Sequence, residues 1–338
     1  MCIRDSYNAL QIGVYGLMAI QTQDAITRLF GITIEWPYLA LAAIAIVWYV
    51  GRRGIDVGAK FLGVLLSLET GILLILAFAV LAQGGAHGIG FDSFHPSAVF
   101  APGMGGILAF AFAAFMGFES TALYRSEARN PDRTIPRATY WAVGFMAIAY
   151  CFIVWSMVQA FGAREVQAAA TNDVAGLFFS AMTHYVGTWA TDVMSVLIVT
   201  SALASQIAFH NAITRYTYSL ARDGVLPAYL DRTHPVFRSP ARAGALQTVI
   251  AVVVVGAFAI AGADPYYRLL LLVNTPGVVG IIALQLITAI AVVAYFARKR
   301  LVRVERVAVI AGIVSIVVLG VALAVLIFIA DQWTKTLI

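Results

Sequence analysis

GMGGILAFAFAAFMGFESTALYRSEARNPDRTIPRA, residues 103–138, is the stretch that decides the fold. From Gly103 to Leu123 the only charged residue is Glu119. A helix rising 1.5 Å per residue needs about 20 apolar residues to cross roughly 30 Å of hydrocarbon, so this segment reads as a membrane span. Helix-favouring sequence runs to Phe115, then Met116-Gly117-Phe118-Glu119 interrupts it. Glycine lets a backbone leave helical geometry at little cost. Unwound backbone is tolerated in a membrane only where it lines a cavity, and its bare carbonyls and N–H groups can then hold a zwitterion. Close helix packing is the competing reading of a glycine in a span. A carboxyl at membrane depth costs roughly 3 kcal/mol on insertion scales, so Glu119 needs a partner.

The rest of the chain has the same character. Of its 338 residues 61% are hydrophobic and 12% charged, about half the charge of a soluble domain. Such a composition excludes disorder, and two cysteines, Cys2 and Cys151, exclude a disulfide scaffold. The net charge of +5 comes from short clusters between apolar runs, which argues against a nucleic-acid partner. Nine spans follow: Tyr7–Ile20, Pro37–Val50, Ala59–Leu81, Gly103–Leu123, Thr139–Phe161, Ala190–Leu220, Ala243–Ala261, Leu269–Phe296 and Val307–Ile329. Every second loop is basic: Arg52, Arg53 and Lys60; Arg125 to Arg137; Arg215 to Arg242; Arg298 to Arg306. Only Arg4, Arg28, Arg164, Arg268 and Lys335 lie elsewhere. This alternation places the basic loops in the cytoplasm and makes the chain a multi-pass protein of the plasma membrane.

The first span, about 14 residues, is short for a crossing, and Met1–Ser6 reads as a leader foreign to the chain; together these predict a fragment. Glu69 in the third span is the other acidic residue well inside a span. It faces a structural reading, a hydrogen-bonded carboxyl joining helices, and a functional one, proton uptake. Ser201 and Ser205 are four apart and share a helical face, with back-bonding to their own helix as the alternative. Of the five histidines (His87, His95, His184, His210, His234) only His210 lies inside a span. No metal-ligand spacing and no hydrolase motif accompanies them, which argues against an intramembrane enzyme and against any metal or cofactor. No filter-like repeat supports a channel.

Phe115–Ser120 (FMGFES) with Glu127–Ala138 (EARNPDRTIPRA) resembles the sixth-helix signature of the amino acid–polyamine–organocation permeases. Arg215–Pro227 (RYTYSLARDGVLP) resembles that family's eighth helix entering its cytoplasmic loop, and Tyr7–Gly16 (YNALQIGVYG) its third helix. The resemblance implies an all-α, inverted-repeat (5+5) transporter fold, incomplete here and carrying helices three to eleven. Residues 7–82 would then close the first repeat, 83–297 form the second, and 298–338 hold helix eleven and a tail.

By that resemblance Phe112, Ala113, Ala114, Phe115, Met116, Gly117 and Phe118 line the substrate site, with the carbonyls of Ala113, Ala114 and Met116 facing an ammonium. Glu119 ties down the break. Glu69 stands where some sodium-independent relatives carry a lysine, and with Ser201 and Ser205 it forms a candidate coupling site for a proton or sodium ion. Asn130-Pro131 and Ile135-Pro136 are helix-breaking pairs, and Arg222-Asp223-Gly224 is a helix end. The implied activity is secondary active uptake of an amino acid, driven by an ion gradient; an amine or polyamine is the alternative cargo. The family's first helix supplies the other half of the site, so this chain should transport only when the missing helices are supplied.

Overall fold

A computed structural model describes residues 2–53, 59–99, 111, 114–119, 121, 128–173, 176–237, 239–297 and 303–337. Among these, long helices dominate: α1 Cys2–Phe30, α2 Trp36–Arg52, α3 Ala59–Ala82, α4 Pro131–Phe161, two short helices α5 Val166–Asn172 and α6 Leu177–Tyr185, α7 Thr188–Arg222, α8 Ala241–Ile260, α9 Leu271–Ala297 and α10 Arg303–Leu337. A π-helical turn, Pro265–Leu270, leads into α9, its first N–H groups held by the Asp264 carboxylate. Among the described residues six stretches are long and apolar enough to cross a membrane: Gly63–Ala82, Pro131–Phe161, Thr188–Arg222, Ala241–Ile260, Pro265–Ala297 and Arg306–Phe328. The second expected span is the shorter α2. Of the fourth, only residues 111, 114–119 and 121 are among the described residues.

Two expectations need correction. The first span is no half-helix: α1 runs for 29 residues, about 43 Å of rise. Its helix continues past the apolar run, where Gln21, Thr22 and Gln23 are half-buried, so polar residues there meet protein. Ile135-Pro136 does not break α4; Pro131 opens the helix and Pro136 sits inside it. In the second turn the only backbone acceptor that a proline deprives is the carbonyl of Asp132, beside the loop end of the helix. Arg222-Asp223-Gly224 does end α7: Gly224 takes φ +74°, and the N–H groups of Gly224 and Val225 return to the carbonyls of Ala221 and Leu220.

Helix α7 is the axis of the packing and contributes to three apolar clusters. Ile207 joins Tyr15, Ile44, Val255 and Leu269 in one; Met194 joins Leu76, Met157 and Met182 in a second; Ile213 joins Tyr7, Ile282 and Leu326 in a third. Outward, the order is reversed from that of a soluble protein. Trp141, Ile148, Val154, Ile287, Val317 and Val321 stand exposed on the long helices, a continuous apolar surface suited to lipid.

Candidate functional site

Within the fourth expected span the described residues show where the helix stops. Ala114 is helical, Phe115–Gly117 form a turn, and Phe118–Glu119 a 3-10 turn. Gly117 has φ +111°, a conformation that side chains with a β-carbon rarely adopt. The Glu119 carboxylate bridges the break. Its Oε2 accepts from the Gly117 N–H at 3.0 Å, and its Oε1 accepts from the Tyr7 hydroxyl of α1 at 2.7 Å. Tyr7 is itself fixed between Phe209 and Tyr216 of α7, with ring centroids 5.7 and 6.2 Å away. One carboxyl therefore ties the broken strand to α1, and through an aromatic stack to α7. Thr121 closes the turn by donating to the Phe118 carbonyl and pairing with Thr139 of α4.

Ala114 and Met116 open onto an internal cavity of about 1280 Å³. A small-molecule pocket occupies roughly 300–1,000 Å³, so substrate would fill only part of this space. Leu10 and Val14 of α1, Glu69 and Ile72 of α3, and Phe209 of α7 form much of the wall near the break. The Ser201 hydroxyl of α7 donates to Oε2 of Glu69 across the α3–α7 contact. Tyr150 of α4 lines the same space and meets the Phe115 ring edge-on, centroids 5.9 Å apart. On the far wall the Asn274 amide of α9, with its nitrogen toward α1, donates to the carbonyls of Ala9 and Leu10 at 3.2 Å. Gly13 makes that approach possible, since a β-carbon there would lie 2.1 Å from the Asn274 side chain.

Toward the ends of α1 and α5 the lining becomes polar, with Gln21, Asp24, Thr171, Asn172 and Asp173. Burial pushes the Asp24 carboxyl above its ordinary value; Arg28, one turn on, opposes this and Asp173 adds to it. Arg28 also lies 4.8 Å over the Phe179 ring, joining the end of α1 to α6.

Of the residues expected at the site, Phe112 and Ala113 lie outside the described residues. Ala114 and Met116 border the cavity; Phe115 and Phe118 do not, the former packing on Tyr150. Glu69 and Ser201 are brought together, whereas the Ser205 hydroxyl returns to the Ala202 carbonyl of its own helix at 3.1 Å while still lining the cavity. Sequence reasoning missed Tyr7 as the partner of Glu119, and Tyr150, Asn274, Asp24 and Asp173 as lining. Asp24 and Asn274 carried a signal, a polar residue at the edge of or inside an apolar run. Nothing in the sequence pairs Tyr7 with a residue 112 positions away.

A bundle of helices with apolar outer faces around a cavity, with an interrupted helix at its wall, is the architecture of a multi-pass membrane protein. The chain belongs to the amino acid permease family, whose profile matches residues 7–336. It is 27% identical over 216 residues to an uncharacterized transporter of Mycobacterium tuberculosis, covering 62% of this chain and 47% of that protein. It is likewise 27% identical over 225 residues to the methylthioribose transporter of Bacillus subtilis (64% of this chain, 45% of that protein). A shorter match, 27% over 132 residues, is to a lysine-specific permease of Lactococcus lactis (39% and 26%). The chain thus spans about half the length of these curated relatives that it matches.

Proposed function

We propose that the protein is a secondary active transporter of amino acids in the plasma membrane, with its basic loops cytoplasmic and an ion gradient, carried by protons, driving alternating access. The observation that carries this reading is the break at Gly117. It ends the helix after Ala114 and holds residues 115–117 in a turn, beside a cavity that Ala114 and Met116 line. Peptide dipoles of this kind compensate an ammonium and a carboxylate where water cannot. In this reading the chain carries the end of the first inverted repeat over residues 7–82 and the second over residues 83–297.

Glu69 is the proposed proton carrier. It faces the cavity, and its described partner is a neutral hydroxyl, so it can change charge without abandoning an ion pair. The test is uptake by proteoliposomes of a chain joined to the two helices that the resemblance places ahead of α1. Labelled leucine should accumulate under an inward proton gradient, and E69Q should flatten the pH dependence while leaving exchange intact. Unchanged pH dependence in E69Q removes the proton role, and absence of both uptake and exchange removes the transport reading. One observation favours an amine cargo as a second reading: Asp24 and Asp173 add carboxyl groups to the lining of the cavity. Competition of leucine uptake by putrescine but not by alanine would select it.

A further inference from the structure

We propose that His234 is a pH-sensitive latch in the loop between α7 and α8: its neutral ring holds a turn that docks on the end of α2, and a proton on Nδ1 releases it. The latch is separate from the cavity and independent of the transport reading. Residues 233–240 read THPVFRSP and run from the 3-10 turn Ala228–Asp231 to the start of α8. The His234 Nδ1 accepts from two main-chain N–H groups, that of Val236 at 3.2 Å and that of Phe237 at 3.3 Å. This is the pattern of an Asx turn, with an imidazole nitrogen in place of the carboxamide oxygen. The Phe237 ring lies against the imidazole, centroids 4.9 Å apart, and braces it over the turn.

The turn is tied to the bundle at its far end. The His234 N–H donates to the Ser239 carbonyl at 2.7 Å, and the N–H of Ala241, which opens α8, donates to the same oxygen at 2.8 Å. Ser239 is 8% exposed, and its hydroxyl donates to the Arg52 carbonyl at 2.6 Å. Arg52 ends α2, so its carbonyl is among those that a helix leaves without a partner in its own ladder. One ring nitrogen thus closes a chain of contacts that joins the loop to the end of α2 and the start of α8.

Both bonds to Nδ1 use its lone pair. A neutral imidazole supplies that pair when its proton sits on Nε2, whereas an imidazolium carries N–H at both nitrogens and accepts nothing. Protonation sets a third donor against the two main-chain N–H groups and drives the ring out of the turn. The charged residues on the elements around the loop are Arg52 and Arg53 at the end of α2, Arg222 and Asp223 at the end of α7, Asp231 and Arg232 before the turn, and Arg242 of α8. Arg238, in the same loop, lies outside the described residues. Among the described residues the ion pairs are Arg4 with Asp5 and His87 with Glu165, so no carboxylate there holds a proton on the His234 ring. Only the neutral ring makes the two bonds, so the turn is closed above the range in which histidine titrates and open below it. The loop lies on the side of the basic loops, and the latch reads the pH of that compartment.

The test is quenched-flow hydrogen–deuterium exchange of the intact protein in lipid nanodiscs at about pH 8 and about pH 5, values that bracket histidine titration. Rates are normalised to chemical exchange. In the wild type the peptide covering residues 234–240 should lose protection at the lower pH by roughly fivefold, the size of one ordinary hydrogen bond. H234N supplies an oxygen that caps the same turn and does not titrate, so it should lose the pH response. H234A, with no acceptor, should be unprotected at both values. A wild-type peptide equally protected at both pH values overturns the proposal. An H234N protein that keeps the pH response also overturns it, because the proton then acts elsewhere. Should H234N fail to fold, nitrogen-15 spectra of the wild-type His234 ring decide: Nδ1 bare at the higher pH and protonated at the lower supports the latch, and any other pattern overturns it.

Discussion

Gly117→Ala tests the central structural feature. A β-carbon at Gly117 would meet no atom within 4 Å, so crowding contributes nothing to the effect. What remains is the backbone. At φ +111° an alanine is strained, and holding a side-chain-bearing residue in such a region costs about 1–3 kcal/mol. At 1.4 kcal/mol per factor of ten, the folded or closed population falls by roughly 5- to 150-fold relative to states in which the segment re-forms a helix. Gly320 of α10 provides the control, because it also has open space around it but helical geometry. There alanine gains about 0.5–1 kcal/mol. Equilibrium unfolding in mild detergent, followed by circular dichroism, should show G117A destabilised and G320A unchanged or stabilised. If both alanines shift stability in the same favourable direction, the backbone at Gly117 is an ordinary helix and the site collapses with it.

Y7F removes the hydroxyl that donates to Oε1 of Glu119 and leaves a part-buried carboxyl oxygen without its partner. Stability should fall by about 1–3 kcal/mol, and Y7F combined with E119Q should lose less than the two single changes summed; additive losses would show that the pair does not interact. D24N probes the electrostatics at the end of α1. Burial holds the folded carboxyl above its ordinary value, so the stability that Asp24 contributes is full below the ordinary carboxylate range and is lost as pH rises through the raised value. D24N should therefore have a higher Tm than wild type at neutral pH and the same Tm in acid. A D24N protein less stable than wild type at neutral pH would show that the pairing with Arg28 outweighs burial.

Membrane class, the run of apolar segments and the place where the fourth one fails could all be read along the chain. Each depends on neighbours within about 20 residues: the length of an apolar run, a glycine before a glutamate, or arginines clustered in a loop. The family resemblance rests on the same kind of local pattern. The local reading ends the first span at Ile20, before the polar residues Gln21 to Gln23, whereas α1 continues through them with Gln21 half-buried within the bundle. The short helix Leu177–Tyr185 was invisible as an element for a related reason: its apolar run is too short to span, and its burial depends on α3, α4 and α7.

Partnership was decided only in three dimensions. Tyr7 with Glu119, Ser201 with Glu69, and Asn274 with the α1 backbone join residues far apart in the chain. Which polar side chain meets which depends on helix rotation and on glycines such as Gly13, Gly51 and Gly244 that let two backbones approach. Local sequence sets how each helix forms and where it ends. Only the close packing of one helix on another determines which of two serines, both on one face of α7, finds a carboxylate and which turns back on its own chain.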